Sequence, residues 1–501
     1  MKSFLRHHYL ILIFVALYIA FSLVTYKQYG ITSDEQLEYN SGKLLLNYFS
    51  KPSSPTETLQ TTLVMDEKAQ LLSSPLFSPY SRIYPALLNA LNPTEYYEWF
   101  HLLNLLFALP LFVAVYFVVY SHAKNQWPAL LGPVFLALIP SFFGHIPANP
   151  KDIPFASFYY LSVVALYYFS KKESSYTSIL VLGFLFGMTQ SLRVIGFSIY
   201  FVYLIQYLFF ARQPLGKNFV LSSLLTFITA LFVMVMQWPF IGMNFFQNLK
   251  SVLLNSGFFY LWDKKVLFMG EFVSRDARPW YYLPVWFLVT TPIFLLILAV
   301  IPLFIKSFYK NKFVMLLYVT LAVNFLIYLI IKPVIYNGLR HFLFFIPLVV
   351  TIAAVAFLEL YKKTRLAGIF LVGIVPVVFN IAALFPYHYV YFNELAGGTA
   401  KAYTQFDLDY WGASYKTATE WFRENLSDVS PKAKVYACNN GFAVDYVSYK
   451  KFEITTNRET ADYIFCDVTS DMYRGYSGEI VRTFYKNATP LIYIRKNVKP
   501  L

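Results

Sequence analysis

The stretch Gly30-Ile31-Thr32-Ser33-Asp34-Glu35-Gln36-Leu37-Glu38-Tyr39 begins a few residues after the apolar run Tyr9–Tyr26. Because that run is long enough to span a bilayer, the neighbouring carboxylates Asp34 and Glu35 are expected at the boundary between water and lipid. Desolvation and mutual repulsion there favour a carboxylate that accepts protons. The other interpretation is that both acids cap and solvate the next helix. Asp34 and Glu35 alone do not decide between these two interpretations, and the decision depends on the rest of the chain.

The composition is that of a polytopic membrane protein. Of the 501 residues, 57% are hydrophobic and only 14% are charged, a balance that excludes one soluble core. The formal net charge of +14 comes mostly from short basic clusters between apolar runs, as in cytoplasmic membrane loops. We therefore expect no nucleic-acid partner.

A span-length window predicts about eleven transmembrane helices. The first run resembles a signal peptide, but no small-residue cleavage site follows it, so we expect an uncleaved span. The predicted spans lie near Tyr9–Tyr26, Trp99–Ser121, Trp127–Phe143, Ile153–Ser170, Ser178–Leu192, Ile195–Ala211, Phe219–Phe240, Tyr281–Ile305, Phe313–Ile331, Phe342–Tyr361 and Leu366–Phe385.

The distribution of lysine and arginine predicts the orientation. Alternate short loops carry Lys2, Arg6, Lys124, Lys171, Lys172, Arg212, Lys217, Lys306, Lys310, Lys312, Lys362, Lys363 and Arg365, so we place them in the cytoplasm. The other loops, including the one with Asp34 and Glu35, then face outward. We expect the protein in the cytoplasmic (inner) membrane.

The chain after Phe385 changes character and predicts a small extracytoplasmic α/β domain. We expect a membrane domain over residues 1–386, whose outer loop 27–97 includes a short amphipathic helix around Arg82–Leu91, and a C-terminal domain over residues 387–501. In the latter, the patterns predict a helix at Ser414–Leu426 and strands at Lys434–Cys438, Ala461–Asp467, Glu479–Tyr485 and Leu491–Arg495. Cys438 and Cys466 each end a strand, and a disulfide and two buried thiols fit equally.

Three further outward stretches carry charges at the membrane boundary. The loop His145–Pro154 holds Lys151 and Asp152 between prolines, which suits either a rigid site or a solvated surface loop. Arg193 interrupts an apolar run, and a guanidinium at that depth needs an anion, either a phosphate or a protein carboxylate, unless it reaches the interface. Arg340 and His341 stand at the mouth of the tenth span and could clamp a phosphate.

In their order, these stretches resemble the GT-C superfamily of membrane glycosyltransferases. More narrowly, they resemble the bacterial glycosyltransferase family 39 relatives of protein O-mannosyltransferases and aminoarabinose transferases. The resemblance rests on Asp34-Glu35 after the first span, Asn149–Asp152, the Gly183–Gly196 segment with Arg193, Tyr336–His341, and Tyr391–Gly398 continuing to Asp409–Gly412.

The resemblance implies an inverting transferase that moves a sugar from a polyprenyl-phosphate carrier to a lipid, glycan or protein acceptor. Asp34 would be the base and Glu35 its neighbour. Asp152 would be a second acid or a metal ligand, with Mg²⁺ or Mn²⁺ as candidate ions. Arg193, Arg340 and His341, together with Lys151, would hold the donor phosphate.

Two other classes compete with this interpretation. A transporter or flippase for lipid-linked sugars would place ionisable residues near the middle of the bilayer and often show repeat symmetry. Here the candidate residues cluster on one face and the sequence has no fixed repeat. A polymerase or ligase shares a long outer loop and arginines but need not carry Asp-Glu after the first span.

Overall fold

A computed structural model describes residues 7–36, 38–40, 96–171, 175–210, 217–238, 241–242, 244–257, 265–426, 433–469 and 478–498. The helix expected around Arg82–Leu91, most of the outer loop 27–97, and Lys2, Arg6, Lys172 and Arg212 lie outside these residues.

Helices dominate the described chain up to residue 402. They are α1 (Tyr9–Thr25), α2 (Tyr96–Phe107), α3 (Leu109–Ala123), α4 (Gln126–Ala129), α5 (Leu131–Ala137), α6 (Pro140–His145), α7 (Asp152–Phe169), α8 (Tyr176–Leu192), α9 (Ile199–Ile205), α10 (Lys217–Gln237), α11 (Phe245–Gly257), α12 (Tyr282–Thr290), α13 (Ile293–Val300), α14 (Lys312–Ile331), α15 (Phe345–Lys363), α16 (Ile374–Leu384) and α17 (Thr399–Ala402). A two-stranded hairpin, β1 (Val266–Phe268) and β2 (Glu271–Val273), precedes α12.

Six helices among the described residues are long and apolar enough to cross a membrane, and α12 with the helical stretch Ile293–Phe304 makes a seventh if that pair is one span. This pair is bent by 118° where Pro292 interrupts the helix, since proline supplies no backbone donor. The predicted span Trp127–Phe143 is likewise divided into α4, α5 and α6. The total of about eleven spans stays a prediction.

Small residues allow two helices of the membrane bundle to pack closely. A Cβ on Gly183 would lie 2.5 Å from the Cβ of Thr229, and one on Gly187 would lie 2.6 Å from the Cβ of Val233. These two glycines, four residues apart on α8, therefore let α8 and α10 approach closely. In contrast, α15 is buried along most of its length and forms the centre of the core.

The C-terminal part folds as an α/β unit with a separate core that begins at Tyr415. It contains α18 (Ser414–Asn425), α19 (Gly441–Ser448), β3 (Lys434–Ala437), β4 (Glu453–Ile454), β5 (Tyr463–Asp467), β6 (Ile480–Lys486) and β7 (Thr489–Lys496). The sheet order is β4-β3-β5-β7-β6, in which β3 is parallel to β4 and β5. The predicted helix and four strands are present, whereas α19 and the two-residue β4 were not predicted.

Cys438 and Cys466 form a disulfide between the ends of the neighbouring strands β3 and β5, with their Cα atoms 5.1 Å apart. The segment 387–413 joins the two units, and Tyr389, Tyr391 and Trp411 within it pack into the large membrane core. The domain boundary after residue 386 stays a prediction.

Candidate active site

Asp34 lies on a turn that follows the first membrane helix. The backbone N–H and the hydroxyl of Thr32 both donate to Oε1 of Glu35, each at 2.9 Å, and the Asp34 carbonyl accepts from the N–H of Glu38 at 3.0 Å. The Oδ2 atom of Asp34 lies 3.0 Å from Nη1 of Arg340, and the Asp34 side chain is 42% exposed. The turn therefore presents one carboxylate to solvent while it is paired with a cation.

Glu35 points away from Asp34 and is completely buried. Its Oε2 atom lies 3.0 Å from Nε2 of His101 on α2, and its other oxygen accepts the two bonds from Thr32. Both oxygens are therefore engaged within the protein, so the structure places Glu35 as a brace of the turn. A direct catalytic or metal-binding role for Glu35 stays a prediction.

Aromatic rings fix the guanidinium of Arg340. Its central carbon lies 4.9 Å from the ring centroid of Tyr336 and 5.4 Å from that of Trp411. Cations are attracted to the faces of such rings. Arg340 is thus held from two sides while it pairs with Asp34.

Asp152 and Arg193 form a second acid–arginine pair. Nε and Nη2 of Arg193 lie 2.7 and 2.5 Å from Oδ1 of Asp152. Asn149 donates to Oδ2 of Asp152 at 2.9 Å and accepts from its backbone N–H at 2.8 Å. Because Asp152 begins α7, the helix N-terminus also favours its negative charge.

The local backbone directs Arg193 toward this pair. Helix α8 ends at Leu192, Arg193 is extended, and a 3₁₀ turn, Val194–Ser198, follows. A Cβ on Gly196 would lie 2.7 Å from the carbonyl oxygen of Thr189, so the tight reversal needs glycine. The sequence allowed Arg193 to meet a phosphate, a protein carboxylate or the interface, and the structure shows the protein carboxylate of Asp152.

A cavity of about 540 Å³ lies beside the Asp152–Arg193 pair. Three basic side chains line it: Lys151, Arg193 and His341. Most of the remaining wall is apolar and includes Ile195, Phe197, Phe201, Ile330, Ile331 and Val334. Phe201, Ile330 and Ile331 are also largely exposed, so the apolar part of the cavity opens toward the surface that would face lipid.

Burial lowers the pKa of two of these basic groups, Lys151 and His341. Burial, together with the nearby charges of Arg193 and Arg340, lowers the pKa of Lys151 to about 7, while Glu38 and Asp152 oppose the shift. Burial and the nearby Arg193 hold the pKa of His341 well below its usual range, so His341 is neutral. In the described part of the chain, Nζ of Lys151 makes no ion pair and Nε2 of His341 has no hydrogen-bond partner.

Six of the predicted site residues therefore lie in one cluster of interacting charges: Asp34, Lys151, Asp152, Arg193, Arg340 and His341. Glu35 lies outside this cluster, buried against His101. Within the described ranges, no three His, Cys, Asp or Glu side chains converge as ligands of a metal ion. Asp34 and Asp152 are each paired with arginine, and a metal-binding role for Asp152 stays a prediction.

Sequence reasoning missed several supporting residues. The roles of His101 and of the Asn149 side chain were not predicted, although Asn149 belongs to the loop that was singled out. Arg278, whose guanidinium lies 5.0 Å from the ring centroid of Tyr282, was not among the predicted site residues. The available signal in the sequence was an arginine two residues before an aromatic segment, Trp280-Tyr281-Tyr282.

Comparison with known proteins identifies the fold. No protein-family profile matches the chain, and no curated protein matches it. Among solved structures, ArnT from Cupriavidus metallidurans bound to undecaprenyl phosphate is similar over 96% of this chain and 98% of its own, with 10% sequence identity and a TM-score of 0.51. The chain therefore has the GT-C fold of that membrane protein, and the predicted fold class, a polytopic helical protein with a small C-terminal α/β domain, is confirmed.

An archaeal oligosaccharyltransferase, AglB from Archaeoglobus fulgidus in complex with an inhibitory peptide and a dolichol-phosphate, matches at 11% identity and a TM-score of 0.37. The match covers 74% of this chain, which spans 58% of AglB.

Proposed function

We propose that this protein is a glycosyltransferase that moves a sugar from a polyprenyl-phosphate carrier to an acceptor on the outer face of the cytoplasmic membrane. One observation carries the proposal: a cavity that is basic at one end and apolar at the other lies beside a cluster that contains a half-exposed carboxylate, Asp34. A lipid with an anionic headgroup matches both ends of that cavity. The undecaprenyl phosphate bound by the fold relative ArnT has this chemistry.

The basic end of the cavity would hold the donor phosphate. Lys151 and Arg193 supply positive charge, and the neutral imidazole of His341 supplies a hydrogen-bonding nitrogen without a partner in the described residues. Charge-assisted hydrogen bonds to an anion are roughly twice as strong as neutral ones. The exposed apolar edge would admit the polyprenyl chain from the bilayer.

Asp34 would act as the general base. As the acceptor oxygen attacks the anomeric carbon of the sugar, its proton passes to the carboxylate of Asp34. The bond between the anomeric carbon and the phosphate oxygen breaks, its electron pair stays on the phosphate, and polyprenyl phosphate leaves. Attack on the face opposite the phosphate inverts the anomeric configuration.

The ion pair with Arg340 would orient Asp34 for this step. Arg340 occupies Oδ2 of Asp34, and Oδ1 has no hydrogen-bond partner in the described chain. Arg340 could also stabilise negative charge on the departing phosphate because its Nε has no partner in the same residues. Glu35 would support the turn rather than react.

Release of the carrier tests the proposed reaction. The purified protein would be incubated with lipid-linked sugars extracted from the membranes of its host, and mass spectrometry would follow the appearance of undecaprenyl phosphate. We expect release with the wild type and almost none with Asp34→Asn. Movement of intact sugar lipid across vesicles, without release of undecaprenyl phosphate, would instead identify a flippase.

The proposed orientation can be tested separately. Lys363 contacts Ser307, and Lys312 contacts the carbonyl of Phe210, so several basic loops converge at one end of the bundle. Cysteines would be placed at the exposed positions Tyr176 and Met269, which the proposed topology puts on opposite faces of the membrane. The native cysteines do not interfere with the labelling because they are paired in a disulfide. We expect an impermeant maleimide to label M269C but not Y176C in intact cells. Labelling of both positions would contradict the topology.

A further inference from the structure

The turn that carries Asp34 is held by the C-terminal unit as well as by the membrane helices. The N–H of Ser33, next to Asp34, donates to the carbonyl of Trp411 at 2.9 Å. The ammonium of Lys416 on α18 donates to the carbonyls of Lys27 and Tyr29 at 2.5 and 3.1 Å. The segment between the first membrane helix and Asp34 therefore has several bonds to residues after 410.

Asn440 makes the most specific of these contacts. Its side-chain amide lies in the loop between β3 and α19 and donates to the carbonyls of Ile31, Gly412 and Trp411 at 2.8, 3.1 and 3.4 Å. Its side-chain oxygen accepts from the N–H of Ala443 and so caps α19. The residue is 1% exposed, which makes an unsatisfied amide there costly.

Packing supports the same contact. Ile31 is completely buried in a cluster with Tyr97, Ala443 and Val447, so α19 covers this part of the turn. A Cβ on Gly30 would lie 2.0 Å from the carbonyl oxygen of Ala413, and only glycine permits that approach. The disulfide at Cys438, two residues before Asn440, ties the same loop to β5.

We propose that Asn440 is a positioning residue that holds Asp34 in its working geometry, and that the C-terminal unit is consequently part of the active site. Two opposed supports define the turn: Glu35 anchors it to His101 on the membrane side, and Asn440 anchors it on the side of the C-terminal unit. The effect on turnover rests on the proposed function, whereas the effect on the turn does not.

The test replaces Asn440 with Asp, which keeps the shape and the oxygen that caps α19 but removes the donor. Asn457→Asp is the matched control because Asn457 is an exposed residue of the same unit that caps a 3₁₀ turn through the N–H of Glu459. Asn440→Ser, which also keeps a capping oxygen, replaces the first variant if that variant fails to fold.

Hydrogen–deuterium exchange in the full-length protein gives the readout that needs no substrate. We expect amides in residues 29–36 to exchange about tenfold faster in N440D than in the wild type and in N457D, while β5 is unchanged. Equal exchange in residues 29–36 would overturn the proposal. Equal acceleration in β5 would also overturn it, because it would show general loosening.

Kinetics and binding then connect the turn to catalysis. With the extracted lipid-linked sugars, we expect kcat of N440D to fall about tenfold or more with KM almost unchanged, since small displacements of a reacting group are costly. Binding of undecaprenyl phosphate should stay within about twofold of wild type. Failure of the wild type to release undecaprenyl phosphate would refute the proposed function, while the exchange data would still decide the role of Asn440.

Discussion

The two acid–arginine pairs of the cluster have the same chemistry but different surroundings. In the Asp152–Arg193 pair, the acid side chain is 3% exposed and both its oxygens are occupied, one by Arg193 and the other by Asn149. In the Asp34–Arg340 pair, the acid side chain is 42% exposed, and among the described residues only one of its oxygens has a partner. A buried carboxylate whose two oxygens both have partners is poorly placed to take a proton from a substrate.

This difference supports different roles for the two pairs in the proposed reaction. The Asp152–Arg193 pair belongs to the cavity wall, because Asp152 lies in the first turn of α7 and its partner Arg193 lines the cavity. The Asp34–Arg340 pair keeps an accessible oxygen at the edge of the cluster. The sequence analysis assigned Asp34 as the base and Asp152 as a second acid or metal ligand, and the structure adds that the two side chains differ in burial.

The largest effect is expected for Asp34→Asn. The amide keeps the shape and can still contact Arg340, but it cannot accept a proton, so turnover should fall about 100- to 10,000-fold. The measurement is the rate at which undecaprenyl phosphate is released from lipid-linked sugars. Binding of undecaprenyl phosphate should persist.

A matched control for this variant is Asp276→Asn. Asp276 is also paired with an arginine, Arg275, but its side chain is 77% exposed and it lies on the 3₁₀ turn after the β1–β2 hairpin. The D276N variant should release undecaprenyl phosphate at the same rate as the wild type. Near-normal turnover of D34N would contradict the comparison and would move the base to Asp152 or Glu35.

A smaller effect is expected for Arg193→Gln, and it should appear in binding. The variant removes a cation from the cavity and leaves Asp152 without its partner, so the affinity for undecaprenyl phosphate should fall about 10- to 100-fold. Arg275→Gln removes a similarly paired arginine outside the cluster and serves as the control. Unchanged affinity in R193Q would show that the phosphate binds elsewhere.

The sequence predicted local features of the fold well, because they depend on short-range patterns. Apolar runs marked α1, α10, α14, α15 and α16, and shorter apolar runs marked four strands of the C-terminal unit. The two-residue strand β4 is too short to produce a pattern. The bend at Pro292 breaks a span whose hydropathy is continuous, so an apolar window cannot detect it.

The candidate residues were predictable as a set but not as partners. Charges at the ends of apolar runs identified Asp34, Asp152, Arg193 and Arg340 because such groups are costly in lipid. Which acid meets which arginine depends on packing between distant helices, and no local pattern encodes it. The same holds for Asn440, whose contact with Ile31 joins segments at opposite ends of the chain.

The smallest effect concerns the pH dependence of binding beside the Asp152–Arg193 pair. Because burial lowers the pKa of Lys151 to about 7, its ammonium loses its proton in the empty cavity above that pH. A bound phosphate stabilises the charged form and raises that pKa, so binding then requires uptake of a proton. The affinity for undecaprenyl phosphate should therefore decrease as the pH rises from 7 to 8, by at most about tenfold per pH unit.

Lys151→Arg isolates this contribution, since arginine stays protonated throughout the range. The second ionisation of a phosphate monoester, near pH 6, is largely complete above pH 7, and His341 is already neutral there because burial lowers its pKa. Affinities measured by titration between pH 7 and 8.5 should fall for the wild type and stay flat for K151R. An equal fall in both proteins would place the titrating group elsewhere. A flat profile in both would mean that Lys151 keeps its proton in the empty cavity. The Asp34–Arg340 and Asp152–Arg193 pairs would then both lie near a lysine that is charged throughout this pH range.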